Sequence, residues 1–179
     1  IDDEPDELTR KTVEINLMAV IGGTREIVRR WKAEGRGGHV INVSSAAGRV
    51  PIAGASTYVA SKHAVSGFSN SLHIEFQADG IPIEVTAVHP AMVRTELSAG
   101  FSANKGVAKP VTPEQVAEGI LSAIEHPRPD VYVPRSLAAA RAGWASGSTA
   151  FSAANEPHWT RWRAPSGRAT TNESAGRPT

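Results

Sequence analysis

The feature that most constrains the fold is an alternation between two hydrophobic periods. The short β-branched runs "HVINV", "IPIEVTAV" and "DVYV" each follow a longer segment whose apolar residues recur every three or four positions. Such runs are typical of buried strands, and such segments are typical of amphipathic helices. Strands separated by helices pair in parallel, with right-handed crossovers and helices on both faces of the sheet. The sequence therefore predicts an α/β fold that forms part of a doubly wound parallel sheet.

The helical segments differ in how clearly their ends are marked. "DELTRKTVEINLMAVIGGTREIVRRWKAEG" suits one long helix or two in series, and Gly35 would end it. Residues 56–76 show the same spacing. The third helix has the clearest start, because Thr112 can cap it, Pro113 suits the first helical position and Gln115 completes a capping box. We expect this helix to begin at the proline.

The end of the chain has a different composition. Residues 1–147 are expected to form one domain, whereas residues 148–179 are rich in Ala, Ser, Gly, Arg and Pro without clear periodicity, which predicts a disordered tail. Trp144, Trp159 and Trp162 lie close to or within that tail. A docking segment is therefore the alternative to a solvated tail.

Composition argues against several classes of partner. The chain has 19 Lys and Arg against 18 Asp and Glu, so its charge favours neither nucleic acid nor an anionic membrane. It has no cysteine, which excludes disulfides and thiolate metal sites, and its six histidines show no metal-ligand spacing. We find no apolar run long enough to span a bilayer. We expect a cytoplasmic protein without a metal centre.

One cluster of residues has spacing suited to proton transfer. Tyr58 and Lys62 are four positions apart, which puts both side chains on one face of a helix. A lysine ammonium held there favours the phenolate, and such a tyrosine can exchange a proton with an alcohol or a carbonyl. Ser45 lies at the carboxyl end of the preceding strand, where α/β sheets place their ligands. The alternative is a lysine that merely packs over an aromatic ring.

Several motifs together resemble the short-chain dehydrogenase/reductase family. They are "NVSSAAG", "YVASK" with its tyrosine thirteen residues after the second serine, "HPAMVRT", and "NLMAV" around Asn16. The resemblance covers residues 8–134. It implies a Rossmann-type sheet and an enzyme that interconverts an alcohol and a carbonyl with NAD or NADP.

The resemblance also implies catalytic roles for four residues. Tyr58 would be the acid/base, and Lys62 would hold the nicotinamide ribose and activate that tyrosine. Ser45 would orient the substrate oxygen. Asn16 would hold the water through which the proton leaves.

By the same resemblance, a segment after the second strand would bind the cofactor. Besides Tyr58 and Lys62, the cofactor contacts would be Pro90, Ala91, Val93 and Thr95. Residues 97–109 would form the loop over the substrate, and the long helices would build a homodimer or tetramer. The family usually has Pro-Gly where this chain has Pro90-Ala91. Because alanine adds a Cβ where the backbone would approach the cofactor, the nicotinamide is expected to bind in a slightly shifted position.

The glycine-rich turn that cradles the cofactor pyrophosphate is not recognisable in this sequence. Gly35, Gly37 and Gly38 follow a helix and precede a strand, which is the wrong order for a phosphate loop. We therefore expect the first strands of the sheet to lie outside this chain, which leaves the choice between NAD and NADP open. A non-catalytic remnant, or a partner-binding piece that associates through its long helices, is the alternative function.

The sequence supports no catalytic role for two further residues and disfavours another class of enzyme. His89, before Pro90, fits a structural strand-end histidine. Ser44 fits a buried partner for backbone groups. A Ser/His/acid hydrolase is disfavoured because the sequence has no G-x-S-x-G elbow.

Overall fold

The computed structural model describes residues 1–96 and 109–139. The first helical segment forms α1, Asp6–Val13, and α2, Ala19–Ala33, joined by the π-helical turn Glu14–Met18. The segment ends just before Gly35, whose φ of +64° is a conformation that glycine adopts readily. The prediction of one long helix or two in series is confirmed, whereas the wider turn within it was not predicted.

The sheet is parallel and has the strand order β1-β2-β3. Its strands are β1, Gly38–Val43, β2, Ile83–Pro90, and β3, Asp130–Val133. Val43 at the end of β1 lies opposite Val88, and Pro90 at the end of β2 lies opposite Val133. The carboxyl ends of the strands therefore share one edge of the sheet.

Helices cover both faces of this sheet. The helix α3, Ser56–Ala78, packs on β1 and β2 on the same side as α2, and α4, Pro113–Glu125, packs on β2 and β3. The capping box of α4 forms as predicted: the Gln115 amide donates to Thr112 Oγ1 over 3.3 Å, and the Thr112 amide donates to Gln115 Oε1 over 2.9 Å. The α/β doubly wound prediction is confirmed.

Two buried clusters, one on each face, hold the layers together. The cluster under α4 joins the ends of β2 and β3, and the cluster under α2 and α3 joins the starts of β1 and β2. Their buried members are Val88, Ala91, Val111, Ala123, Val131, Val133 and Leu137 in the first, and Val40, Phe76, Ile83 and Val85 in the second. Because the clusters anchor the strands, the loops at the carboxyl edge start from fixed positions.

Some predictions fall on residues that the structure does not describe. The tail, residues 148–179, the three late tryptophans and nearly all of the substrate-loop segment, residues 97–109, lie outside the described ranges. Within residues 1–96 and 109–139, β1 pairs on one side only, with β2, and Val43 is 44% exposed. None of the helices in these ranges is long and apolar enough to cross a membrane.

Candidate active site

Ser45 lies in the turn that follows β1. Its backbone is extended, and its Oγ accepts a hydrogen bond from the Ala47 amide over 3.1 Å, which starts the short 3₁₀ turn Ala46–Gly48. This turn packs against α3. The hydroxyl therefore sits at the carboxyl edge of the sheet, half-buried, where the strand pattern placed it.

Ser44 points into the protein and fastens α3 to the end of β1. It is 3% exposed, and its Oγ donates to the Lys62 carbonyl oxygen over 2.9 Å. Ser66 donates to the same carbonyl over 3.0 Å and lies 2.9 Å from Ser44 Oγ. The interpretation of Ser44 as a buried partner of backbone groups is confirmed.

Gly48 permits the close packing of this turn on α3. A Cβ at Gly48 would lie 2.3 Å from Ser44 Oγ, 2.6 Å from the Lys62 carbonyl oxygen and 2.6 Å from Ser66 Oγ. These distances are far below van der Waals contact, so only glycine fits without displacement of a neighbour. The glycine thus determines how closely the Ser45 turn approaches the helix that carries Tyr58.

Tyr58 and Lys62 lie together near the start of α3. The Lys62 Nζ is 5.9 Å from the centre of the Tyr58 ring and donates to the Val43 carbonyl oxygen over 3.2 Å. Burial lowers the pKa of Lys62 below the ordinary lysine value. The tyrosine is 39% exposed. A lysine that merely packs over an aromatic ring would account for the contact with Tyr58. It would not account for the hydrogen bond to Val43, which directs the ammonium to the edge of the sheet that carries Ser45.

Asn16 lies in the π-helical turn and connects to the tyrosine through another side chain. Its Nδ2 donates to Ser61 Oγ over 3.2 Å, and Ser61 Oγ donates to the Tyr58 carbonyl oxygen over 2.7 Å. Ser61 is 2% exposed. The sequence analysis missed Ser61, although its position three residues after Tyr58, within the "YVASK" motif, marks it as a neighbour of the tyrosine turn.

The proposed cofactor segment leaves the sheet at the same edge. Pro90 is buried at the end of β2, and the Ala91 amide donates to the Val133 carbonyl oxygen over 2.7 Å. Val93 then pairs in parallel with Val111, while Thr95 is exposed. The first part of the segment is thus anchored by backbone hydrogen bonds to the end of β3 and to Val111, just before α4.

His89, which received no role from the sequence, is buried beside the Ser45 turn. Its Nε2 lies 2.8 Å from Asp130 Oδ1, and its Nδ1 lies 3.3 Å from the Ser45 carbonyl oxygen. Arg49 binds the same carboxylate oxygen. Burial alone would raise the pKa of Asp130, but the hydrogen bond from His89 and the positive charge of Arg49 hold that pKa below its ordinary value. No local pattern predicts these pairs, because the partners are 41 and 81 residues apart.

Comparisons with known proteins support one family. The family model described as short chain dehydrogenase matches residues 1–106. The uncharacterized oxidoreductase YxnA of Bacillus subtilis is 31% identical over 132 residues, which cover 69% of this chain and 36% of that protein. Dehydrogenase/reductase SDR family member 7B of Xenopus tropicalis is 32% identical over 133 residues, which cover 69% of this chain and 42% of that protein. The chain therefore spans less than half the length of these curated relatives.

Solved structures show the same fold. A 4-hydroxyisoleucine dehydrogenase complexed with NADH aligns with a TM-score of 0.64 and 25% identity, covering 74% of this chain and 60% of that chain. A short chain dehydrogenase from Burkholderia cenocepacia in complex with NADP aligns with a TM-score of 0.72 and 22% identity, covering 86% and 63%. Because the family model matches well over half of the 179 residues and the fold agrees, this chain belongs to the short-chain dehydrogenase family.

Proposed function

We propose that this protein is an oxidoreductase that interconverts an alcohol and a carbonyl with NAD(H) or NADP(H), and that Tyr58 is its acid/base. The observation that carries the proposal is the position of Lys62. Its ammonium lies beside the Tyr58 ring and is bonded to the last residue of β1, two residues before Ser45. Tyr58 and Lys62 thus lie on α3, and Ser45 follows β1. Hydrogen bonds from Lys62 to Val43 and from Ser44 to Lys62 join these two parts of the fold.

The residues at this edge fit a nicotinamide cofactor. The Lys62 ammonium has three N–H donors, and the Val43 carbonyl accepts a hydrogen bond from one of them. The other donors of Lys62 can bind ribose hydroxyls. Residues 90–95 leave the sheet beside it and would lie against the nicotinamide. The cofactor, when bound, supplies or accepts the hydride. The solved relatives complexed with NADH and with NADP support both coenzymes equally.

The side chains would handle the proton and the substrate oxygen. During reduction of a carbonyl, the Tyr58 phenol gives its proton to the oxygen on which negative charge develops, and during oxidation the phenolate takes a proton from the alcohol. The Ser45 hydroxyl holds that oxygen in line by a hydrogen bond. Asn16, which is linked to the tyrosine turn through Ser61, would hold the water by which the proton is exchanged with solvent.

Replacing Tyr58 by Phe tests this proposal. The full chain is assayed for NADH and NADPH oxidation against a panel of aliphatic and aromatic aldehydes and ketones, at coenzyme concentrations raised until the rate stops increasing. Tyr58→Phe should abolish turnover and keep the circular dichroism of the unmodified protein, because the ring stays and only the hydroxyl is lost. The exposed His63, on the same helix, gives the control His63→Gln, which should retain turnover. Unchanged turnover in Tyr58→Phe would contradict the proposal.

A second candidate function is association without catalysis. Leu8, Ile15 and Met18 expose 53%, 59% and 47% of their surface along α1 and the π-helical turn. Apolar exposure of this kind suits a helix–helix interface, including that of a homodimer or tetramer. The sequence also lacks a glycine-rich phosphate turn, so this chain on its own should bind either coenzyme weakly.

A fluorescence titration of the chain with NADH and NADPH discriminates the two functions. Saturable binding in the micromolar range, with turnover, would reject the non-catalytic function. Failure of both coenzymes to bind, together with a dimer or tetramer in sedimentation velocity, would favour it.

A further inference from the structure

His89 is enclosed by groups from three parts of the fold. The residue is completely buried at the carboxyl end of β2. The turn after β1 presents the Ser45 carbonyl oxygen to one ring nitrogen, and the first residue of β3 presents the Asp130 carboxylate to the other. Arg49 approaches from the end of the same turn, and the Tyr132 ring stacks on the imidazole at 4.9 Å between centroids. A buried side chain that contacts four other groups in this way is held in one orientation.

Each ring nitrogen of His89 faces an oxygen atom of another segment. Asp130 Oδ1 is 2.8 Å from Nε2, which is the length of a charge-assisted N–H···O bond. The Nδ1 faces another acceptor, the Ser45 carbonyl oxygen at 3.3 Å. The imidazole ring therefore bridges the turn after β1 and the start of β3.

The Arg49 guanidinium approaches both groups. Its Nε lies 3.4 Å from His89 Nε2, and the guanidinium binds the Asp130 carboxylate directly. The Asp130 carboxylate therefore contacts both the guanidinium and the imidazole ring.

We propose that His89 is a positioning residue for Ser45: the imidazole ring, anchored on Asp130, holds the Ser45 carbonyl and thereby the direction of the Ser45 hydroxyl. The inference rests on the proposed function, in which that hydroxyl orients the substrate oxygen. The Ser45 residue is then fixed at two points, its carbonyl by His89 and its Oγ by the Ala47 amide. Since His89 immediately precedes Pro90, the same side chain sets the separation between the serine and the start of the cofactor segment.

The first experiment is nitrogen-detected NMR of the ¹⁵N-labelled full chain without ligand. Asp130→Ala removes the carboxylate that anchors the His89 ring and should shift the signal of the Ala47 amide. The Ala47 amide, which donates to Ser45 Oγ, reports on the serine. An Ala47 signal that stays in place in a folded Asp130→Ala variant would overturn the proposal.

Two substitutions at His89 separate positioning from packing. His89→Asn retains an N–H donor close to the position of Nδ1, whereas His89→Leu fills similar space without a donor. The Ala47 amide signal should shift in His89→Leu and stay near its original position in His89→Asn. His39, a half-buried histidine on β1 that bonds Thr86, gives the control His39→Asn, which should leave the Ala47 signal in place. An Ala47 signal that moves equally in the Asn and Leu variants would refute a specific role for the donor.

The kinetic experiment uses an aldehyde or ketone from the panel that the unmodified protein reduces. His89→Leu should lower kcat/KM by up to about 100-fold, as expected for misplacement of an orienting group, and His89→Asn should recover most of the loss. Equal kcat/KM in His89→Leu and the unmodified protein would overturn the positioning role. The proposed function is tested separately: it is wrong if Tyr58→Phe retains turnover. That result would not change the Ala47 amide signals, which report on the position of Ser45 without any turnover.

Discussion

Gly48→Ala is the sharpest perturbation of the packing that supports the site. The added Cβ would lie 2.3 Å from Ser44 Oγ and 2.6 Å from both the Lys62 carbonyl oxygen and Ser66 Oγ. Two of these atoms are hydroxyls that donate to the third, so none can move away without loss of a hydrogen bond. The turn that carries Ser45 must therefore shift away from α3.

The expected cost combines overpacking with weakened hydrogen bonding. Overpacking of a well-filled interior costs about 1–3 kcal/mol, and weakening one of the two hydroxyl bonds to Lys62 adds about 1 kcal/mol. We expect Gly48→Ala to lower the free energy of unfolding by about 3 kcal/mol. Gly67 lies within α3 with nothing within 4 Å of a Cβ built on it. Gly67→Ala should therefore raise the free energy of unfolding by roughly 0.5–1 kcal/mol, because alanine is the better helix former.

Urea unfolding followed by far-ultraviolet circular dichroism measures both values by linear extrapolation. A double-mutant cycle of Gly48→Ala with Ser44→Ala should show a coupling of about 0.5–3 kcal/mol, since the second change removes the atom nearest to the new Cβ. The reasoning is wrong if Gly48→Ala is as stable as the unmodified protein. It is equally wrong if Gly67→Ala loses as much stability as Gly48→Ala.

The remaining predictions concern charge and capping. Burial alone would raise the pKa of Asp130, yet the His89 hydrogen bond and the Arg49 charge lower it, so its stabilisation is present above about pH 4 and should be lost as the pH falls through the folded-state pKa. Urea titrations at several acidic pH values should show that loss, and Asp130→Asn should reduce it. Burial lowers the pKa of Lys62, so the free energy of unfolding should rise as the pH approaches about 10.4, the ordinary lysine value, and Lys62→Met should remove this rise. Thr112→Ala removes the cap of α4 and should cost about 1 kcal/mol in the same urea assay.

Elements whose determinants are local in sequence were predictable. The three strands and the order of the helices follow from hydrophobic period alone, and the start of α4 follows from Thr112, Pro113 and Gln115, which lie within one helical turn. The shared helical face of Tyr58 and Lys62 likewise follows from a spacing of four residues. Each of these features is decided by contacts between residues a few positions apart.

Contacts between distant segments were not predictable in the same way. The Asn16–Ser61 bond joins residues 45 positions apart, and the His89–Asp130 bond joins residues 41 positions apart. The π-helical turn that carries Asn16 has no proline or glycine pair to mark it. A single sequence shows which side chains have hydrogen-bonding groups, but the choice among partners is made by the packing of whole elements. For this reason the sequence pointed to Asn16 only by family resemblance and gave His89 only a structural interpretation.

The serine pair at the end of β1 shows how neighbouring residues of one type acquire different functions. Successive side chains in extended chain point to opposite sides, so Ser44 and Ser45 cannot both face α3. Ser44 faces the helix and holds the Lys62 carbonyl, while the ammonium of the same lysine reaches back to Val43. Lys62 is thus held at its backbone carbonyl by Ser44 and at the tip of its side chain by Val43, the last residue of β1. The buried serine fixes the helix that carries Tyr58, and its neighbour, turned the other way, keeps its hydroxyl at the edge of the sheet. Substitution of Ser44 should therefore disturb the site through the geometry of α3, although Ser44 itself touches no substrate.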